Sequence, residues 1–170
     1  MDIRIDEKDQ RFKFRVCGIL EHNGKYLAVK IEKNEFYCFP GGHAEIGETS
    51  ETAVLREMHE ELGFPVKIKR LLSIAENIFK IKEQIMHEMS FYYLVEAQNP
   101  DDVNANDHII TECDKGVMKE LAFKWLTKDE FEKENFKPTF ASKFLENDSV
   151  LYVVNKFDKD VKITEFRVDY

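Results

Sequence analysis

Residues 42–64 read GHAEIGETSETAVLREMHEELGF. The second half of this stretch has the pattern of a helix. Thr49 or Ser50 is placed to cap it, Ala53, Val54, Leu55, Met58 and Leu62 supply apolar turns, and Gly63 stands where a chain leaves a helix with positive φ. At roughly 100° per residue, Val54, Leu55, Met58 and Leu62 share one sector, while Glu57, Glu60 and Glu61 lie in another, roughly 120° away. One side packs and the other presents three carboxylates.

Acids at i, i+3 and i+4 repel one another at a cost of a few tenths of a kcal/mol per pair, so something must offset them. One reading is a solvated acidic face. The other is a site for hard divalent cations, since Mg²⁺ takes oxygen donors, often a few carboxylates, and keeps waters and substrate phosphates in its shell. What precedes the helix favours the second. Pro40-Gly41-Gly42 allows a close approach of bare backbone to the helix start, where a carbonyl can join a metal shell. Glu48 lies eight residues before Arg56, and an acid held near the helix start can pair with that cation and fix the loop to the helix.

Gly42, five residues, Glu48, seven residues and then Arg56-Glu57-Met58-His59-Glu60-Glu61-Leu62-Gly63-Phe64 resembles the signature box of the Nudix hydrolases, G-x5-E-x7-R-E-U-x-E-E-x-G-U with U a bulky apolar residue. Every fixed letter is matched. Met58 and Phe64 fill the U positions in place of the more usual Ile, Leu or Val. The resemblance implies an α/β/α sandwich around a mixed β-sheet and cleavage of a pyrophosphate linkage in a nucleoside diphosphate joined to another group, with Mg²⁺ or Mn²⁺ as cofactor. Carried over by position, Glu57, Glu60 and Glu61 are the expected metal-binding glutamates, with the Gly42 carbonyl a further ligand, and Arg56 and Glu48 are the orienting pair.

The proton acceptor varies within this family. Glu57 is the candidate inside the box, and Glu120, five residues before Trp125, resembles the external glutamate that some members use; Glu112 ranks below both. An exposed acid at a strand start is an equal reading of Glu120. A metalloprotease H-E-x-x-H is excluded twice, because Phe91 stands where His87-Glu88 needs its second histidine and Gly63 where His59-Glu60 does. Phe36, Tyr37, Phe79, Tyr92 and Tyr93 can stack a base, although large aromatics fill sandwich cores anyway.

The 170 residues, 43% hydrophobic and 12% aromatic, suit one domain with a full core. A net charge of −8 argues against a DNA, RNA or acidic-membrane binder and for cations at any phosphate site. The expected partner is a small nucleotide. Cys17, Cys38 and Cys113 are odd in number with no C-x-x-C pair, so reduced thiols and a cytoplasmic location are expected. No secretion signal or membrane span is expected either.

In chain order, about ten polar residues precede a strand at Phe12 to Leu20, and Asn23-Gly24 turns it into a second at Tyr26 to Ile31. Strands at Val66 to Phe79 and Ile85 to Ala97 follow the helix. Gln98 to Gly116 is predicted to be a long loop, and Leu121 to Leu126 a short strand. Thr127 is expected to cap a helix containing Glu130 and Phe131, and a helix of about nine residues follows Pro138. Val150 to Phe157 and Val161 to Val168 complete a C-terminal hairpin, over about residues 149–170, that falls outside the resemblance and is either an accessory feature or a homodimer contact. The alternative to an enzyme is a silent Nudix-fold module that binds nucleotides or a protein. Nucleoside triphosphates, dinucleoside polyphosphates and ADP-ribose all present the same linkage, with an ADP-ribose specialist ranked lower.

Overall fold

The structure is a computed structural model that describes residues 1–166 apart from 33, 115 and 147; of Glu112, Asp114 and Val117 only the backbone is described. The helix runs over Ser50–Leu62 (α1), capped by Thr49, whose Oγ1 accepts from the Thr52 N–H at 3.1 Å, and closed by Gly63 at φ 78°. Met58 and Val54 of the apolar sector are fully buried, but Leu55 is 37% exposed. Ala53, one residue away, takes the inward position instead.

The described residues form nine strands: β1 (Arg4–Glu7), β2 (Gln10–His22), β3 (Lys25–Ile31), β4 (Val66–Ile81), β5 (Gln84–Ala97), β6 (His108–Asp114), β7 (Val117–Leu126), β8 (Val150–Lys156) and β9 (Asp160–Phe166). Their order is β6-β7-β3-β2-β5-β4-β8-β9, with β1 added to β2. The β2–β5 and β4–β8 pairs are parallel and the others antiparallel, which makes a mixed sheet. Asn23 and Gly24, at φ 52° and 74°, form the predicted two-residue turn between β2 and β3.

Beyond that turn the sheet splits. β2 and β3 pair only at Glu21↔Tyr26 and His22↔Lys25, then separate. Residues 38–44 fill the gap: Cys38 exchanges both backbone hydrogen bonds with Val29, and β2 is bonded to Pro40, Gly42 and Ala44. The strap that carries the two glycines is therefore held on both edges.

One apolar layer lies between α1 and the sheet, built from Val16, Leu20, Val29, Val54, Met58 and Tyr93 among others. The second, on the opposite face, gathers Ile19, Phe39, Tyr92, Phe131, Phe136 and Phe144. The fold is the expected α/β/α sandwich class, but among the described residues the second covering layer is made of 3-10 turns. Lys128–Glu130 and Ala141–Leu145 are 3-10 segments where longer helices are predicted. Stacked and edge-on rings, Phe131 on Phe136 at 4.3 Å and Phe39 on Phe136 at 4.7 Å, hold that layer in place of helix-to-sheet ridges.

Other boundaries also shift. The predicted loop over Gln98 to Gly116 contains the 3-10 turn Pro100–Asp102 and strand β6, which pairs with β7 from His108↔Phe123 to Asp114↔Val117. The part that remains loop is pinned to Trp125, whose indole N–H donates to the Asn104 carbonyl at 2.9 Å. The polar N-terminus forms β1, and Ile3 packs on the core beneath α1. The C-terminal hairpin is β8 and β9; β8 pairs with β4 and so belongs to the main sheet. Val168 lies outside the described residues.

Met58→Ala leaves a void under α1 and is expected to cost about 2–5 kcal/mol, whereas Leu55→Ala costs under about 1 kcal/mol, both read from urea denaturation midpoints. Equal losses in the two variants overturn the packing described for α1.

Candidate active site

The strap passes so near its neighbours that side chains have no room. Gly41 has φ 136°, and a Cβ there falls 2.1 Å from the Val16 carbonyl oxygen. A Cβ on Gly42 falls 2.2 Å from a carboxylate oxygen of Glu57. Gly41 therefore requires glycine for both φ and space, while a side chain at Gly42 would displace the Glu57 carboxylate. Glu57 and Glu61, one turn apart on α1, reach this strap: Glu57 lies over Gly42, and Glu61 accepts the Gly41 N–H at 3.0 Å.

Arg56 holds the assembly together. Its Nε and Nη2 donate to the two oxygens of Glu48 at 2.8 and 2.9 Å, Nη1 donates to Glu57 at 2.8 Å and Glu60 at 3.2 Å, and Nη2 also reaches the His43 carbonyl at 3.1 Å. The Glu48–Arg56 pair is thus a bidentate contact. Hydrogen bonding to Arg56 brings the Glu48 carboxyl down to about 2. Burial raises the Glu57 carboxyl above its ordinary value, against the pull of Arg56. Burial also takes His43 down to about 4, so its imidazole is neutral at pH 7.

The sequence-predicted residues are not all brought together. Glu57, Glu60, Glu61, Arg56, Glu48 and Gly42 share one region, but among the described residues no group of three acids or histidines converges on a point fit for a metal ion. Glu60 is turned outward, half exposed, on the solvent side of Arg56. The Gly42 carbonyl accepts the Val16 N–H at 3.0 Å, which leaves one lone pair for another partner. Glu120 sits exposed on β7, and since its neighbour Leu121 points into the layer beneath α1, period-2 alternation sends Glu120 to the other face. The side chain of Glu112 lies outside those described. The donor set around the strap consists of carboxylate and carbonyl oxygens, which fits Mg²⁺ or Mn²⁺.

Sequence reading missed the two cations behind the strap, Arg15 and Lys13. Arg15 of β2 donates from Nη2 to the Gly41 carbonyl at 3.1 Å, from the side opposite Glu61. It lines a cleft of about 640 Å³ with Lys13, Phe36, Phe79, Glu88 and Tyr92. Arg11, Lys13 and Arg15, alternating with Phe12 and Phe14, were the available signal. Cys17 and Cys38 flank the same cleft, and burial pushes the Cys17 thiol up to about 12 and Cys38 above its ordinary value, so both stay protonated. Of the aromatics considered for stacking, Phe36 and Phe79 line the cleft, while Tyr93 is core and bonds Ser50 of α1 through its hydroxyl at 2.7 Å. Tyr37 lies under Lys30.

The family model described as the NUDIX domain matches residues 10–147. The chain belongs to the Nudix family. It is 45% identical over 62 residues to an ADP-ribose pyrophosphatase of Methanocaldococcus jannaschii, a match that covers 35% of this chain and 37% of that protein. With an 8-oxo-dGTP diphosphatase of Proteus vulgaris it shares 34% identity over 82 residues, covering 46% of this chain and 70% of that one. The first match thus spans little more than a third of its relative's length. The crystal structure of a MutT protein from Bacillus halodurans aligns over 89% of this chain and 97% of its own, with a TM-score of 0.57 at 17% identity, a likeness of fold. No described helix is long and apolar enough to cross a membrane.

Because the Glu48 carboxyl titrates lower in the folded chain than in the unfolded one, its contribution to stability is complete above the unfolded value near 4.5 and is lost as pH falls toward 2. The stability gap between wild type and Glu48→Gln, measured by urea denaturation, is expected to be widest above pH 5 and to narrow steadily below it. A gap that does not change with pH contradicts the Arg56 pairing.

Proposed function

We propose that this chain is a metal-dependent hydrolase that cleaves a pyrophosphate linkage in a nucleoside diphosphate joined to another group. The observation that carries the reading is the placement of Glu57 and Glu61 against the Gly41–Gly42 strap, with Arg56 fixing Glu57 and Glu48 at once. Names of relatives, an ADP-ribose pyrophosphatase and an 8-oxo-dGTP diphosphatase, support the same class of bond.

Glu57, Glu60 and Glu61, with the Gly42 carbonyl, are the residues that would hold Mg²⁺ or Mn²⁺. Such ions lower the pKa of a bound water and neutralise charge developing on phosphate oxygens. The protein supplies the rest. Arg56 offsets the mutual repulsion of the glutamates and keeps Glu57 in one orientation, while Glu48 keeps Arg56 from swinging into solvent. Glu57 is the proposed proton acceptor, because its carboxylate is less exposed than those of Glu48 and Glu60 and is oriented by Arg56. Glu120 would reach the reaction only from the opposite face, so we place it second. Phe36 and Phe79 offer flat surfaces for the nucleotide in the cleft behind the strap. Three free cysteines among the described residues suit a reducing cytoplasm.

Glu61→Gln keeps an acceptor for the Gly41 N–H and removes the charge. It is expected to fold normally by circular dichroism yet to lose about a hundredfold or more of the Mg²⁺-dependent turnover across a panel of nucleoside triphosphates, dinucleoside polyphosphates and ADP-ribose. Unchanged turnover rejects the metal assignment. A wild-type chain that binds members of the panel and cleaves none is the silent module.

A further inference from the structure

Lys13 and Arg15 alternate along β2 on the face turned away from α1. Parallel pairing with β5 sets Lys13 opposite Glu88 and Arg15 opposite Ser90, and the β4–β5 register adds Asn77 beside Glu88. These side chains meet on the sheet face beneath the cleft. Charges in the middle of a sheet are costly unless matched, and here the match within the protein is incomplete. Glu88, 7% exposed, already accepts from the Ser90 hydroxyl at 2.7 Å, and its one negative charge faces two cations. Arg15 directs Nη2 to the Gly41 carbonyl, but its Nε, shielded from solvent, meets no acceptor among the described residues. Burial draws the Lys13 ammonium below its ordinary pKa, with Glu88 opposing.

The cleft as a whole has the wrong sign for this molecule. Lys13, Arg15, Lys80 and Lys137 line it against Glu88 and Asp158, four cations and two anions, in a chain of net charge −8. An aromatic-walled pocket for an uncharged base needs a few donors and acceptors but no surplus of positive charge. The cleft is also near the glutamates. Glu61 takes the N–H of Gly41 and Arg15 its carbonyl, so carboxylate and guanidinium stand at the two ends of one residue, roughly 10 Å apart or less.

Resting on the pyrophosphohydrolase reading above, we propose that the substrate carries a further phosphate monoester outside the scissile diphosphate and that Lys13 and Arg15 hold this phosphate in the cleft. The phosphate oxygens balance the two cations, while Phe36 and Phe79 flank the nucleoside between the phosphates. A guanidinium and an ammonium side by side suit a phosphate better than either suits a neutral edge. The substrate class is therefore a nucleotide pyrophosphate with a 2′- or 3′-phosphate or a phosphorylated second moiety.

Matched pairs that differ by that one phosphate test this: NADPH against NADH, coenzyme A against dephospho-coenzyme A, and ADP-ribose 2′-phosphate against ADP-ribose, each with Mg²⁺. In the wild type, kcat/KM is expected to be higher by about tenfold or more for the phosphorylated member of at least one pair. Lys13→Gln brings that ratio close to one and Lys13→Arg preserves it. Equal kcat/KM within every pair for the wild type overturns the proposal, whether or not the variants fold. Should no pair be cleaved, calorimetric binding of the same pairs in Ca²⁺ separates the two readings. Tighter binding of the phosphorylated member, lost in Lys13→Gln, upholds the cleft and rejects hydrolysis of these substrates, and equal binding rejects the cleft assignment.

Discussion

The site depends on how close a strip of bare backbone can come to α1 and β2 at once. Gly41 and Gly42 have no side chains to hold the strap off, and the hydrogen bonds from β2 and β3 leave it no freedom to drift. Because the strap is fixed, each carboxylate that touches it is fixed too. The site's precision thus comes from main chain, whose geometry varies less than that of long side chains.

Such closeness concentrates like charge, and Arg56 resolves it. Three glutamates within two turns of one helix repel one another. A single guanidinium with five donors in a rigid fork can serve several of them at once, which an ammonium cannot do in the same plane. Arg56 touches Glu48, Glu57, Glu60 and the His43 carbonyl, so the loop before the helix, the strap and the acidic face share one counter-charge. The low carboxyl value of Glu48 and the raised one of Glu57 then have different origins. The first is set by hydrogen bonds to Arg56 and the second by loss of water. Two carboxylates that share one arginine are in this way given different proton affinities.

What could be read from sequence was what is local. The caps of α1, the Asn23-Gly24 turn and the Glu48–Arg56 spacing are decided within a few residues or one loop, and all are present. Leu55 shows where periodicity fails: the buried sector runs from Ala53 through Val54 to Met58, so Leu55, at its border, is left partly outside. β6 was hidden because an edge strand buries little and its flanks are rich in Asn and Asp; its partner β7, rather than its own composition, makes it a strand. The segments after Thr127 and Pro138 fold as 3-10 turns since packed aromatic rings hold them, and ring-on-ring contact leaves no trace in helical periodicity. The cleft was hidden for a different reason. Lys13, Asn77 and Glu88 come from three strands, and only the sheet order places them side by side.

The short second layer also explains why that cleft exists. A full helix packed across the sheet would lie over the strand ends where Lys13, Asn77 and Glu88 emerge. The rings in and around the 3-10 segments instead gather over Phe39 and Tyr92, and Pro138 and Thr139, between the two segments, lie at the cleft's rim. Thr139 bonds Asp158 at 3.1 Å, and Asp158 in turn accepts from Asn155 of β8, so the turn between β8 and β9 braces that rim. The C-terminal hairpin thereby has a place in the architecture: it widens the sheet beyond β4 and supplies one wall of the cleft. Residues 150–166 lie beyond the stretch matched by the family model. The wall they build therefore lies outside the matched domain, while the strap and the glutamates lie inside it.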